Sequence, residues 1–329
     1  MYRCKGIVAG ILSVFMAVVS VGDSFARSQG SLLEVCFGDV AEPEKAGVKP
    51  FDPAGCDVLI DEGDSPVVKK VAGMFAADVS RVTGVETGVV YAPGRNSKAV
   101  IIGTIGQSCY IDALVRKGVL DVSSITGEWE RYRIINIENP LPGISDALVI
   151  AGSDRRGAAY GSFSVSESMG VSPWEWWADV PVKRRDNVRI YADYLSEAPS
   201  VKYRGIFIND EDWGLLPWAA GNYEKELGDI GPRTYERVCE LLLRLKGNML
   251  APAMHACTGA FYSHPESKAV VDSCGIIITT SHCEPMLFNN AAKSEWDTGR
   301  DGEWNYVTNK AVIYSKMDAR VKESASYEN

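Results

Sequence analysis

The sequence predicts an α/β protein in two parts, a mixed α/β domain over about 28–195 and a strand–helix alternation over 200–329. Short, continuously apolar segments at 99–103 and 147–151 are typical of strands in a sheet that is covered on both faces. After residue 200, three strand–helix units follow one another. Right-handed crossovers give such units a parallel sheet, either open or part of a barrel.

The first 26 residues have the composition of a secretion signal. Arg3 and Lys5 give a positive start, 6–22 are uncharged and mainly apolar, and small residues lead up to Ala26. The apolar stretch is short for a membrane span. We therefore expect cleavage near Ala26, a secreted or periplasmic chain, and no membrane contact after cleavage.

Composition excludes several classes of partner. The hydrophobic content of 46% and charged content of 23% are those of a globular protein. The net charge is −9 and no basic run occurs, which argues against nucleic acid or an anionic membrane as partner. Eight cysteines occur without a CxxC pair, so neither a zinc ribbon nor a thioredoxin-type redox motif is expected.

Helix signals define the elements of the first part. Ser65 followed by Pro66 predicts a helix start, and Gly84 predicts its end. Asp154 predicts the cap of a second helix that ends before Gly170.

The second part begins after a predicted linker over 194–200. Apolar strands are predicted over 203–208, 249–254 and 275–279. Helices are predicted from 231–232 to Gly247, over 266–274, and over 305–324. No strand is followed by GxGxxG, and GxxxxGK[ST] and GxSxG are absent from the sequence, which disfavours dinucleotide, P-loop and serine-hydrolase sites.

Polar side chains follow each of these three strands. In a (β/α)8 barrel the carboxyl ends of the strands face one opening, so the three groups would converge there. Carboxylates beside tryptophan suit a sugar site, because acids transfer protons and bind hydroxyls while indole faces stack on sugar rings. The candidate substrate-binding residues are Asn209, Asp210, Glu211, Asp212, Trp213, His255, His282 and Glu284.

Each of these signals has a structural alternative. The acidic triplet at 210–212 could be a solvated turn, and His282 and Glu284 could be core residues. His255, His282 and Glu284 could instead bind zinc. The spacing of these residues in the sequence does not clearly identify a third zinc ligand, so we expect no metal.

Other polar and aromatic residues are predicted to be structural. Lys246 and Asn248 precede a strand and so belong to the opposite, stabilising face of a barrel. The tryptophans at 174, 176 and 177 are expected to pack at a domain interface.

At these residues the sequence resembles glycoside hydrolase family 115, the xylan α-1,2-glucuronidases. The similarity runs from about Glu34 to the end of the sequence and departs at Ala251 and His255, where many members have Trp. The segments that carry it are 147–154, 170–174, Tyr203–Glu211, 243–248, Thr280–Met286 and 304–306.

The resemblance implies an N-terminal α/β domain, then a (β/α)8 catalytic barrel, then further domains. It implies an exported, inverting hydrolase that needs no metal or other cofactor. Asn209, Asp210, His282 and Glu284 would line the glucuronate pocket. On this view the sequence is an N-terminal fragment with the first three β/α units of an incomplete (β/α)8 TIM barrel.

The expected function is removal of glucuronic or 4-O-methylglucuronic acid side chains from xylan or xylo-oligosaccharide. An inverting enzyme needs two carboxyl groups on opposite sides of the bond. Glu284 is the only local candidate, the other carboxylate is expected beyond Asn329, and the fragment is expected to be weakly active or inactive. Alternatives are action on another branched glycan or glycan binding without catalysis. A homodimer is possible for the full-length protein.

Overall fold

The computed structural model describes residues 31–38, 47–94, 96–209, 211–280, 284–288 and 295–329. The predicted secretion signal lies outside these ranges. Within them, no helix is both long and apolar enough to cross a bilayer.

The described strands fall into two sheets. In chain order they are β1 Ser31–Cys36, β2 Asp57–Leu59, β3 Gly88–Val90, β4 Lys98–Thr104, β5 Tyr132–Leu141, β6 Ile144–Gly152, β7 Arg189–Leu195, β8 Gly205–Phe207, β9 Met249–Ala251 and β10 Ile277–Ile278.

The α-helices differ widely in length, from one turn to five. They are α1 Pro66–Thr83, α2 Cys109–Arg116, α3 Arg155–Ser168, α4 Leu215–Trp218, α5 Pro232–Arg244, α6 Pro265–Ser273, α7 Thr298–Asp301 and α8 Lys310–Ser324.

The first sheet has seven strands in the order β1-β7-β5-β6-β4-β2-β3. Strands β3, β2, β4 and β6 run parallel, whereas β5 and β7 join them through antiparallel pairing. The two predicted apolar strands are neighbours, with Ala99 opposite Ala147.

Both faces of this sheet are covered, as the apolar strands predicted. Val100 and Leu148 lie in one core with α1 and α3, whereas Ile101 and Val149 lie in a second core with α2. Adjacent strand residues point to opposite faces, so each apolar strand supplies both cores.

The predicted helix caps are confirmed. The Ser65 side chain accepts a hydrogen bond from the Val68 amide at 3.4 Å, and Asp154 accepts one from Gly157 at 2.8 Å. Gly84 ends α1 in the left-handed conformation, with φ of 70°. That conformation is one that glycine adopts without steric cost.

The second sheet consists of β8, β9 and β10, all parallel, in the order β10-β9-β8. Gly205 opens β8 because an added Cβ would lie 2.0 Å from the Met249 carbonyl oxygen. The helices α5 and α6 connect the strands, which is the predicted β/α alternation.

Three predicted boundaries are corrected. The segment taken as a linker from residue 194 begins inside β7, because Tyr194 pairs with Ser31. Helix α5 ends at Arg244, and Lys246, with φ of 58°, makes the left-handed turn that Gly247 was expected to make. Helix α8 begins at Lys310, five residues later than predicted.

The two sheets share one hydrophobic core. Phe75 and Phe163 of the first part lie in the same buried cluster as Tyr235, Leu242 and Ile276 of the second. The division into domains at about 195–200 therefore remains a prediction, although no described strand crosses it.

A buried carboxylate joins the two parts. Glu130, 3% exposed, accepts hydrogen bonds from Arg156 at 2.6 Å, from Asn248 at 2.8 Å, and from Arg204. Asn248 also accepts the Arg204 amide at 2.8 Å. Asn248 has the structural role that its position before β9 predicted.

Candidate active site

The polar residues that follow β8 and β9 meet through Glu211. This residue begins a 3₁₀ turn, Glu211–Trp213, and is 1% exposed. Its Oε1 accepts the amides of Met254 at 2.7 Å and His255 at 2.5 Å, and the Thr258 hydroxyl at 3.2 Å. Charged hydrogen bonds of this kind fix the two loops against each other.

His255 lies between two carboxylates. Its Nδ1 is 3.1 Å from Oδ1 of Asp212 and 3.9 Å from Oε2 of Glu211. Glu211 Oε2 is itself buried and has no hydrogen-bond partner among the described residues. One carboxylate oxygen of Glu211 is thus structural, while the other can still accept a hydrogen bond.

The third loop contributes Glu284, which is 3% exposed and whose Oε1 is buried without a hydrogen-bond partner in the described part of the chain. Burial raises the pKa of Glu284 from 4.5 to about 7, and the negative charges of Glu211 and Glu295 add to this effect. His255 opposes it. A carboxyl group with this pKa is partly protonated near neutral pH and can act as a general acid.

The structure therefore brings together Glu211, Asp212, His255 and Glu284 at the carboxyl ends of the three parallel strands. Asn209, two residues after the end of β8, is exposed. Trp213 is 85% exposed, so its ring lies outside the buried part of the cluster. Asp210 and His282 lie outside the described residues, and sugar binding by any of the candidates remains a prediction.

Thr258 was not among the candidates, although it donates to Glu211. Only its position in the folded loop after β9 reveals this contact. In the described part of the chain, no three His, Cys, Asp or Glu side chains gather as a metal site would require. His282 lies outside the described residues, so the zinc alternative is untested.

Residues 196–329, which contain every candidate site residue, match the profile described as Glycosyl hydrolase family 115. A solved family GH115 4-O-methyl-alpha-glucuronidase, BtGH115A, described as having specificity for decorated arabinogalactans, is 37% identical with a TM-score of 0.72. The chain belongs to glycosyl hydrolase family 115.

The alignment with BtGH115A covers 84% of this family 115 chain and 35% of the solved one, so the chain spans about a third of that structure. A Streptomyces plicatus beta-hexosaminidase with GlcNAc product is 10% identical, with a TM-score of 0.41 over 71% of this chain and 43% of its own. That similarity is too low to support an argument. A comparison with curated proteins gave no match.

Proposed function

We propose that this family 115 chain is part of a glycoside hydrolase that releases glucuronic or 4-O-methylglucuronic acid from a branched polysaccharide. Family membership and the activity named for BtGH115A support the reaction class. The main structural support for the site is the buried carboxyl group of Glu284, which has a raised pKa and an Oε1 atom without a hydrogen-bond partner among the described residues.

In this proposal the three β/α units are the first three of a (β/α)8 barrel. Two features support it: the parallel order β10-β9-β8 and the polar cluster at the carboxyl ends of these strands. The free edge of β8 exposes Ile206 by 42% and Phe207 by 44%. Apolar strand edges of this kind are normally paired or covered, which further strands of a barrel would do.

Glu284 is assigned as the general acid. Its proton passes to the glycosidic oxygen as the bond to the sugar C1 breaks, while a water that has lost its proton to a second carboxylate adds to C1. Glu211 is assigned a positioning role, because three hydrogen bonds hold its Oε1. The base is assigned to no described residue.

A neutral Glu284 also suits a negatively charged sugar. Glu211 and Asp212 already give this site two acidic groups, so an ionised Glu284 would add to the repulsion of the glucuronate carboxylate. The protonated form both supplies the acid and reduces that repulsion.

The proposed substrate is a polysaccharide with uronic acid side chains, and two candidates can be tested. The sequence resemblance favours glucuronoxylan, and the specificity named for BtGH115A favours a decorated arabinogalactan.

The test is release of glucuronic or 4-O-methylglucuronic acid from both polysaccharides by the whole protein that contains this chain. We expect release from at least one, and a loss of about 100-fold or more in kcat for Glu284→Gln, the usual size of general-acid catalysis. Asp318→Asn, in an exposed ion pair on α8, is the matched control and should keep its rate. A folded protein that binds either glycan without releasing acid would contradict the proposal.

A further inference from the structure

A groove of about 610 Å³ is lined in part by the segment that follows β8. One wall comes from the segment that follows α3, with Trp176, Trp177 and Asp179, and the other comes from α4, with Leu215 and Trp218. The groove is therefore built from both parts of the chain.

Three indole rings form its apolar surface. Trp218 lies 5.4 Å from Trp176 and 5.7 Å from Trp177, measured between ring centroids. Trp177 Nε1 donates to the Arg237 carbonyl oxygen at 3.2 Å, which fixes that ring. All three rings are only half-buried, so the tryptophan packing predicted for an interface leaves apolar surface open to solvent.

Polar groups with unused hydrogen-bonding capacity border these rings. Asp179 is exposed and has no hydrogen bond or ion pair among the described residues, whereas the nearby Glu175 is paired with Arg81 at 2.8 Å. The Nε1 atoms of Trp176 and Trp218 likewise have no acceptor in the described ranges. A pyranose ring presents an apolar face and hydroxyl edges, which match indole surfaces bordered by one carboxylate and two N–H donors.

The groove and the candidate active site are close to each other along the chain. Glu211, in the buried cluster, and Leu215, in the groove wall, are four residues apart on 3₁₀ and α-helical turns. At a rise of at most about 2.0 Å per residue, this separates them by roughly 8 Å along the backbone. One extended glycan could reach both.

We propose that this groove binds the neutral main chain of the polysaccharide whose uronate branch enters the active site. The proposal rests on the function proposed above. The negative charge of Asp179 disfavours a uronate in the groove, while its oxygens can accept hydrogen bonds from neutral hydroxyls. The groove would therefore bind the main chain and leave the charged branch to the site at Glu284.

The experiment measures binding of two neutral, unbranched glycans, a xylo-oligosaccharide and a galacto-oligosaccharide, to the whole protein by calorimetry. We expect one of them to bind, Trp218→Ala to weaken that binding about tenfold, and Asp179→Gly about fivefold. Glycine tolerates the φ of 50° at position 179, so Asp179→Gly should keep the backbone conformation. If Trp218→Ala fails to fold, binding by Asp179→Gly still tests the groove. Trp174→Ala, 46% exposed and outside the groove, is the matched control.

A second measurement distinguishes glycan binding in the groove from the proposed hydrolase activity. On a disaccharide of glucuronic acid and one neutral sugar, the groove variants should keep the parent kcat and KM, while KM for the polymer should rise about tenfold. Neutral-glycan binding that is weakened in both variants supports the groove even if the protein releases no acid. The failure to release acid would reject only the proposed hydrolase activity. Acid release together with unchanged glycan binding by folded Trp218→Ala and Asp179→Gly would overturn the groove.

Discussion

Glu284 shows how burial gives a common side chain an uncommon protonation state. Its folded pKa of about 7 lies above the usual 4.5 because burial, and then the charges of Glu211 and Glu295, disfavour the carboxylate. A group whose folded pKa is raised contributes stability that is complete below its unfolded pKa and is lost as pH rises through its folded pKa.

We therefore predict that Glu284→Gln changes how stability depends on pH. Between pH 4 and pH 8 the parent should lose up to about 3 kcal/mol of unfolding free energy from this group, at about 1.36 kcal/mol per pKa unit. Glutamine cannot ionise, so the variant should not lose this stability. Its unfolding free energy relative to that of the parent should therefore increase from pH 4 to pH 8. Urea unfolding at both pH values measures the difference, and equal changes in both proteins would contradict the raised pKa.

Glu211 and Asp212 adjoin in sequence but have different roles in the fold. The sequence predicts an acidic triplet without distinguishing its members. The structure buries the Glu211 side chain completely and leaves that of Asp212 43% exposed beside His255. The difference arises from the amides of Met254 and His255, which only the folded loop after β9 supplies.

At the scale of the element, α1 and α5 are joined by a buried ion network. Arg244 makes two hydrogen bonds to Asp78, at 2.8 and 3.1 Å, and two to Glu240, at 3.0 and 2.9 Å. All three residues are less than 9% exposed, and Arg81 also reaches Asp78 at 2.6 Å. The sequence predicts both helices, but not this contact, because Asp78 and Arg244 are 166 residues apart.

Arg244→Met should destabilise the fold strongly. Methionine keeps an apolar stem but leaves Asp78 and Glu240 buried without this partner. Removing one partner of a buried ion pair commonly costs about 3–5 kcal/mol of unfolding free energy. Because Arg81 still pairs with Asp78, we expect a loss of about 3 kcal/mol. Lys322→Ala is the control, because its pair with Asp318 is largely exposed and should cost about 0.5 kcal/mol or less. Thermal and urea unfolding measure both variants, and similar losses would show that the buried network adds no special stability.

At the scale of the whole molecule, Glu130 connects the two sheets. It binds Arg156 of α3 together with Arg204 and Asn248, which flank the strands β8 and β9. These contacts lie on the side of the second sheet opposite the polar cluster. They fix the sheet at its amino ends while its carboxyl ends carry the site.

Replacing Glu130 by alanine should loosen this connection. Arg156 is 5% exposed and would lose its carboxylate partner, so amide hydrogen exchange should rise in 203–208 and 249–251 and stay unchanged in β4 and β6. Glu138→Ala serves as the control, because its pair with Lys49 is about 60% exposed on both sides. Unchanged exchange in β8 and β9, or an equal rise throughout, would contradict a local role for Glu130.

The sequence by itself determined the α/β class, the helix starts at Ser65 and Asp154, and the placement of acids after parallel strands. These features follow from local signals, because helix caps and the periodic spacing of apolar residues involve residues only a few positions apart in the sequence. It did not predict β5, β7 or the shared core, because those depend on pairing between distant segments.

The tertiary structure alone decided which polar residues are buried and what chemistry they can perform. The raised pKa of Glu284, the fixed oxygen of Glu211 and the groove at Trp218 all arise from side chains that meet only after folding. Glu211 and Thr258 are 47 residues apart, and a pattern read along the chain carries no information about such a contact. The physical reason is that desolvation and charge interaction depend on distance in space, whereas sequence fixes only distance along the chain.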